Sequence, residues 1–131
     1  MAGYPGTPST ETIDKGLSQA QDRITVGWSV NEAVAVSVGV GHAMAGRDCV
    51  VTMKVPGLYQ ACDAFTSVSC YMQPKGALIY YIASDFTPSS TQHVIDPRYL
   101  FKSCFVPVFE PRTHQEMHEA AGLAADISRT H

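Results

Sequence analysis

An unbroken run of apolar and aromatic side chains, Ala-Leu-Ile-Tyr-Tyr-Ile-Ala at 77–83, constrains the fold of this chain more than any other segment. The run is seven residues long and follows a Pro-Lys-Gly turn at 74–76, which is the pattern of a β-strand. Because the side chains are apolar at successive positions rather than at alternate ones, we expect this strand to be covered on both faces.

The rest of the chain alternates between helix-like and strand-like segments. Helices are predicted over 10–21, 29–45, 58–72, 97–104 and 113–128, and further strands over 24–28, 49–53 and 105–109. Such alternation predicts a single domain, residues 1–131, with a three-layer α/β fold: a mostly parallel sheet with helices on both faces. Ligands of such folds bind beyond the carboxyl ends of the strands, so the loops after Trp28, Met53 and Ala83 are the ones to inspect.

Two segments need a choice between interpretations. Valines at every second position from 34 to 40 suit a strand, but the length of 29–45 and its Ser-Val-Asn-Glu start favour a helix. The chain also opens directly in a turn at 3–9, a position that usually follows a strand in this class of fold. We therefore expect the first strand of the sheet to be missing and the domain to be truncated at both ends.

Composition excludes several functional classes. Only 16% of the residues are charged and the net charge is −3, without the basic stripe that nucleic-acid binding requires. The low charge predicts that a partner covers part of the surface, as in a homo- or hetero-oligomer. No apolar run is long enough to span a membrane, and the first residues do not form a secretory signal, so we expect a cytoplasmic protein.

Cysteine spacing argues against a metal cluster in this chain. The four cysteines stand at 49, 62, 70 and 104, without a Cys-x-x-Cys pair, and are predicted to be free thiols. His114 and His118 lie one helical turn apart, but Gln115 stands where a zinc-type motif has glutamate, so no metal site is predicted.

Glu32 is the strongest candidate for chemistry. It begins a long segment that has no other acidic or basic side chain apart from His42. The spacing from Ser29 to Glu32 also fits a capping box, which is the structural alternative. In the functional interpretation, an apolar setting at a strand-to-helix junction favours the protonated carboxyl, which is able to donate to a ring nitrogen.

Two further positions are candidates for binding an anion. Thr7 and Ser9 lie in the Gly-Tyr-Pro-Gly-Thr-Pro-Ser turn at 3–9, where they form either an anion cradle or an ordinary helix cap. Arg98 follows a polar loop after the strongest strand, where it either binds a carboxylate or pairs with Asp96.

Taken together, three motifs resemble the alpha subunit of the indolepyruvate ferredoxin oxidoreductases. They are Gly-Tyr-Pro-Gly-Thr-Pro-Ser-Thr-Glu at 3–11, Trp-Ser-Val-Asn-Glu at 28–32 and Val-Thr-Met-Lys at 51–54. Gly57-Leu58 and the stretch 89–98, with Ser90, Gln92, Asp96 and Arg98, continue the resemblance in the same order.

The resemblance implies the pyrimidine-binding domain of a thiamine-diphosphate-dependent 2-oxoacid:ferredoxin oxidoreductase. In that family Glu32 would face N1′ of the aminopyrimidine, Gly57 would lie beside the cofactor, and Thr7 and Arg98 would lie near the 2-oxoacid. Mg²⁺, the diphosphate site and the iron–sulfur clusters that pass electrons to ferredoxin would come from other domains or chains.

The sequence also departs from the family pattern. Val55-Pro56 stands where the family has His-Val, and Tyr59 where it has Asn, which puts indolepyruvate in doubt as the substrate. Two alternatives stay open: the alpha subunit of a non-oxidative decarboxylase of the sulfopyruvate or phosphonopyruvate type, and a non-catalytic assembly fragment.

Overall fold

A parallel four-stranded sheet organises the computed structural model, which describes residues 1–69, 71–87 and 94–130. The strands are β1 (Ala2–Gly3), β2 (Gly27–Trp28), β3 (Cys49–Lys54) and β4 (Leu78–Ala83), and their order across the sheet is β2-β1-β3-β4. All three pairings are parallel, and β3 and β4 pair along their full length. The predicted fold class, a parallel sheet with helices around it, is confirmed.

The first strand is present, so the expectation that it is missing was wrong. Ala2 and Gly3 pair with β2 on one side and with β3 on the other. A Cβ atom on Gly3 would lie 2.7 Å from Thr52 Cγ2 and 3.2 Å from Trp28 Cζ3. This strand escapes pattern analysis because it has only two residues and is defined by its neighbours.

Helical segments connect the strands. The structure contains α1 (Ser9–Glu11), continued by a π turn at Thr12–Gly16 and a 3-10 turn at Leu17–Ala20, then α2 (Glu32–Met44), α3 (Val55–Gln60), α4 (Cys62–Ala64) with a π turn at Phe65–Ser69, α5 (Arg98–Ser103) and α6 (His114–Thr130). The predicted helices are therefore present, although the first and third are made of short pieces.

None of the helices in the described ranges is long and apolar enough to cross a membrane.

The valine-rich segment is a helix, as its length predicted. Val36 and Val40 are buried, whereas Val34 and Val38 are about two-fifths exposed. The helix packs on β3 at Gly39, where a Cβ atom would overlap the Cγ2 methyl of Val51. Helical periodicity places valines two apart on different sides of the helix, so the alternation does not reflect a strand.

Three other predictions need correction. The strand predicted over 105–109 is absent, because Phe105 has a φ of 58° and Pro107 has no N–H for a ladder. The helix predicted to begin at Leu58 begins at Val55, since proline is tolerated in the first helical turn. Strand β4 is half-buried over residues 78–82 because it lies at the edge of the described sheet.

The last helix attaches to the edge of the sheet by polar contacts. The Ser128 hydroxyl accepts from Leu78 N and donates to Leu78 O, and Arg129 forms an ion pair with Asp48. At its start, the Thr113 hydroxyl accepts from Glu116 N, while the Glu116 carboxylate accepts from Arg112 N. Docking by surface groups predicts a helix that is held less firmly than the core.

The small residues of α2 provide a test of this packing. We expect Gly39→Ala to destabilise the fold by about 1–3 kcal/mol, because the added methyl overpacks against the buried, branched Val51. Gly41→Ala, in the same helix with no atom within 4 Å of its Cβ position, is the matched control and should stabilise by about 0.5–1 kcal/mol. Urea denaturation measures both, and equal effects would contradict the proposed packing.

The pairing of Asp48 predicts a pH dependence for α6. The hydrogen bond from Arg129, supported by one from Ala77 N, lowers the pKa of Asp48 from its ordinary value of 3.8. A carboxyl with a lowered pKa contributes stability above its unfolded value, and this is lost as the pH falls through the folded value. We therefore expect the protection factors of the α6 amides, measured relative to their intrinsic exchange rates, to fall below about pH 4. In Asp48→Asn, which keeps an acceptor for Ala77 N, this pH dependence should be absent.

Candidate functional site

A cleft of about 630 Å³ lies beyond the carboxyl ends of the strands. Its walls come from the loop after β1, the start of α2 after β2, the junction of β3 with α3 and the loop after β4. The chain leaves β1 toward β2 on one side, whereas β3 leads to β4 on the other, so the cleft lies at a switch in strand order. This is the usual ligand position in open parallel sheets.

The loop after β1 holds its shape by internal hydrogen bonds. Buried Ser9 donates through Oγ to Gly6 O, and Gly6 N donates to Thr10 Oγ1. These hydrogen bonds stabilise the turn, but Ser9 is not a helix cap, because the N-cap of α1 is Pro8 and no side chain caps this helix. Thr7 is exposed and lines the cleft, and none of the described residues forms a hydrogen bond with its hydroxyl. Of the two predicted hydroxyl groups, Thr7 is the one available to a ligand.

Glu32 lines the same cleft from the first turn of α2. The N-cap of this helix is Asn31, whose side chain accepts from Val34 N at 2.9 Å. The capping-box interpretation of Ser29 and Glu32 is therefore wrong, because Glu32 is the first helical residue instead of the third. No hydrogen bond from the described residues reaches its carboxylate, and the side chain is half-buried.

Gly57 makes room for the Glu32 side chain. A Cβ atom at position 57 would lie 2.5 Å from Glu32 Oε1 and 2.6 Å from Glu32 Cγ. The absence of a side chain at this buried position therefore allows the carboxyl group to lie against the start of α3. Two predicted site residues, separated by a strand in the sequence, are in direct contact.

Two charged residues of the cleft were not predicted as site residues. Lys54 ends β3 and Asp85 follows β4, and both line the cleft with Glu32. Lys54 ends the Val-Thr-Met-Lys motif at 51–54, but the sequence assigned no role to it or to Asp85. Their position just after predicted strands is the signal that would have found them.

Arg98 is engaged elsewhere. Its guanidinium binds the Asp96 carboxylate through Nε and Nη2 and forms an ion pair with Glu110 at 3.5 Å. The hydrogen bond from Arg98 lowers the pKa of Asp96, and the Asp96 partner raises the pKa of Arg98. Arg98 is exposed and is not among the residues that line the cleft. The structure thus brings together Thr7, Glu32 and Gly57, but not Arg98.

Other candidate positions carry no site in the described ranges. Cys49, Cys62 and Cys104 are free, as predicted, and burial raises the pKa of the Cys49 thiol. No group of three or more His, Cys, Asp or Glu side chains in residues 1–69, 71–87 and 94–130 has the geometry to hold a metal ion. Cys70, Ser90, Gln92 and His93 lie outside the described residues.

Comparison with curated proteins identifies the relatives of this chain. It is 35% identical over 133 residues to the indolepyruvate oxidoreductase subunit IorA of Archaeoglobus fulgidus, covering 98% of this chain and 21% of the relative. It is 37% identical over 128 residues to IorA of Pyrococcus horikoshii, covering 97% and 20%, and 35% identical over 127 residues to IorA of Methanothermobacter marburgensis, covering 95% and 20%. The sequence of this chain is similar to that of IorA subunits. The resemblance of its motifs is confirmed.

The IorA similarity covers nearly all of this chain, but the chain spans only about a fifth of the length of these relatives. No protein-family model matches the chain. No solved structure matches it either. The similarity therefore supports the family of this segment, and the activity of the whole relatives enters below as a proposal.

The contact between Gly57 and Glu32 is testable by substitution. Because the carboxyl group is the far end of a flexible side chain, we expect Gly57→Ala to displace it with little change in melting temperature. The measurement is the ¹³C carboxyl resonance of Glu32 together with thermal unfolding. Gly16→Ala, with no atom within 4 Å of its Cβ position, is the control. An unchanged Glu32 resonance in Gly57→Ala would show that the two residues are not in contact.

Proposed function

We propose that this chain is the pyrimidine-binding domain of a thiamine-diphosphate-dependent 2-oxoacid:ferredoxin oxidoreductase. The observation that carries the proposal is the Glu32 carboxyl group, which lies against Gly57 in the switch-point cleft without a hydrogen-bond partner among the described residues. A carboxyl group placed in this way is able to share a proton with the ring nitrogen of an aminopyrimidine.

The cleft fits one half of this cofactor. Its volume of about 630 Å³ lies in the range of small-molecule sites. Prolines 5, 8 and 56 and Tyr4 supply apolar wall, while Glu32 supplies the polar group that would orient the ring. When bound, thiamine diphosphate supplies the electron sink for decarboxylation of a 2-oxoacid.

Within this proposal the residues of the chain have separate roles. Glu32 holds or accepts the proton at the pyrimidine N1′ position, which is general acid–base work. Gly57 keeps the carboxyl group in place by leaving the space that it occupies. Thr7 offers a hydroxyl group to the 2-oxoacid from the opposite loop.

The remaining parts of the enzyme belong to other domains or chains in this proposal. They would bind the diphosphate and Mg²⁺, carry the iron–sulfur clusters and deliver electrons to ferredoxin. The relatives are named as oxidoreductase subunits, which supports this reading over a non-oxidative decarboxylase.

One of the three departures from the family pattern, Pro56, lines the described cleft. Val55 is buried, so its side chain belongs to the core, whereas Pro56 lines the cleft and Tyr59 is exposed. A rigid, apolar proline therefore faces the ligand where the family has a different residue. We propose that the substrate is a 2-oxoacid whose identity depends on this wall, with indolepyruvate as one member of the class.

Binding of the pyrimidine tests the proposal on this chain alone. Titration of the ¹⁵N-labelled chain with thiamine should shift the amides around Glu32 and Gly57. Replacing Glu32 with Ala should weaken binding by about tenfold or more, because a hydrogen bond to a charged group is lost. Glu119→Ala, which removes an exposed carboxylate on α6, should bind as the unaltered chain does.

The assembled enzyme tests the acid–base role. Glu32→Gln keeps a hydrogen-bonding side chain but has no exchangeable carboxyl proton, so turnover should fall by about 10²–10⁴-fold. Full turnover in Glu32→Gln, or thiamine binding that is unchanged in Glu32→Ala, would refute the proposed role of Glu32. A non-catalytic assembly fragment would bind no thiamine at all.

A further inference from the structure

Lys54 is the one cationic side chain among the residues that line the described cleft. It shares the cleft with two carboxylates, Glu32 and Asp85, at the end of the central strand β3. We propose that the Lys54 ammonium group, and not Arg98, binds the carboxylate of the 2-oxoacid. This inference rests on the proposed function and names the residue that recognises the anionic end of its substrate.

The stem of Lys54 has a defined place. A Cβ atom at Gly6 would lie 2.8 Å from Lys54 Cγ and 2.9 Å from Lys54 Cδ. The lysine stem therefore lies along the loop that also carries Thr7, in space that a larger residue at position 6 would occupy. The backbone is held as well, because Lys54 pairs with Ala83 at the end of the β3–β4 ladder.

The charge of Lys54 is available, whereas that of Arg98 is not. No ion pair of the described residues includes Lys54, and neither Glu32 nor Asp85 lies within ion-pair distance of it. The Asp85 carboxylate instead accepts from Thr87 N. Arg98 already binds the Asp96 carboxylate through two nitrogens, so a substrate anion would have to displace an existing partner.

The charges in the cleft also favour a role for Lys54 in binding an anionic substrate. A 2-oxoacid that enters beside Asp85 and the carboxyl group of Glu32 brings a negative charge of its own, which a like charge opposes. An ammonium group in the same cleft compensates this repulsion and selects acids over neutral ketones. The contact from Gly6 to the lysine stem then makes the glycine of the loop a positioning residue for the cation.

Binding of two probes, a 2-oxoacid and its neutral ester, in the absence of cofactor tests the proposal. The full chain is titrated with phenylpyruvate and with its neutral methyl ester, and amide shifts at Gly6, Thr7 and Gly57 report binding. We expect Lys54→Met to weaken phenylpyruvate binding by about tenfold or more and Lys54→Arg to preserve it. The neutral ester should bind the unaltered chain and Lys54→Met equally. Lys102→Met, which removes an exposed lysine of α5, is the control for net charge.

The outcomes separate this inference from the proposed function. Circular dichroism checks that the variants are folded, and Lys54→Met should retain thiamine binding. If thiamine binds but phenylpyruvate affinity is insensitive to Lys54→Met, or is lost in Arg98→Met, the assignment of Lys54 is overturned while the proposed function stands. If neither the unaltered chain nor any variant binds thiamine, the proposed function is wrong, and the assignment of Lys54 that rests on it is wrong as well.

Discussion

The parallel pairing of β1 between β2 and β3 is the constraint on which the rest of the structure depends. Only two residues, Ala2 and Gly3, make this strand, yet they join both halves of the sheet. Since parallel strands end at the same edge, the segments that follow all four strands meet around one cleft. The lack of a side chain at Gly3 matters here because Thr52 and Trp28 close over it.

In two places this fold positions a polar side chain by packing it closely against a glycine. Glu32 lies against Gly57, and the stem of Lys54 lies against Gly6. In both cases the charged side chain comes from an element end, and the glycine lies on a neighbouring segment. An acid and a base are thereby held in one cleft without pairing with each other, which leaves both available to a ligand.

The arrangement accounts for what the chain shares with its relatives and where it differs. The residues of the IorA-like motifs that face the cleft include Thr7, Glu32, Lys54 and Gly57, whereas Arg98 is held by neighbouring carboxylates. The change to Val-Pro after Met-Lys alters one wall of the cleft through Pro56 and leaves the core side of the helix apolar through Val55.

The sequence by itself determined the fold class, the long strands and helices, and Glu32 as the candidate acid. Each of these depends on local patterns: apolar runs at 49–53 and 77–83, a lone acidic side chain before the valine-rich helix, and turn residues between elements. Only the tertiary structure decided that a two-residue strand exists at Ala2–Gly3, that 105–109 is not a strand, and that Lys54 shares the cleft while Arg98 does not. The physical reason is the sequence separation of the interacting residues. Periodicity reports which side of a single helix or strand is buried. Strand pairing, the choice of ion-pair partner and contacts between residues such as 32 and 57 depend on segments that are distant in the chain.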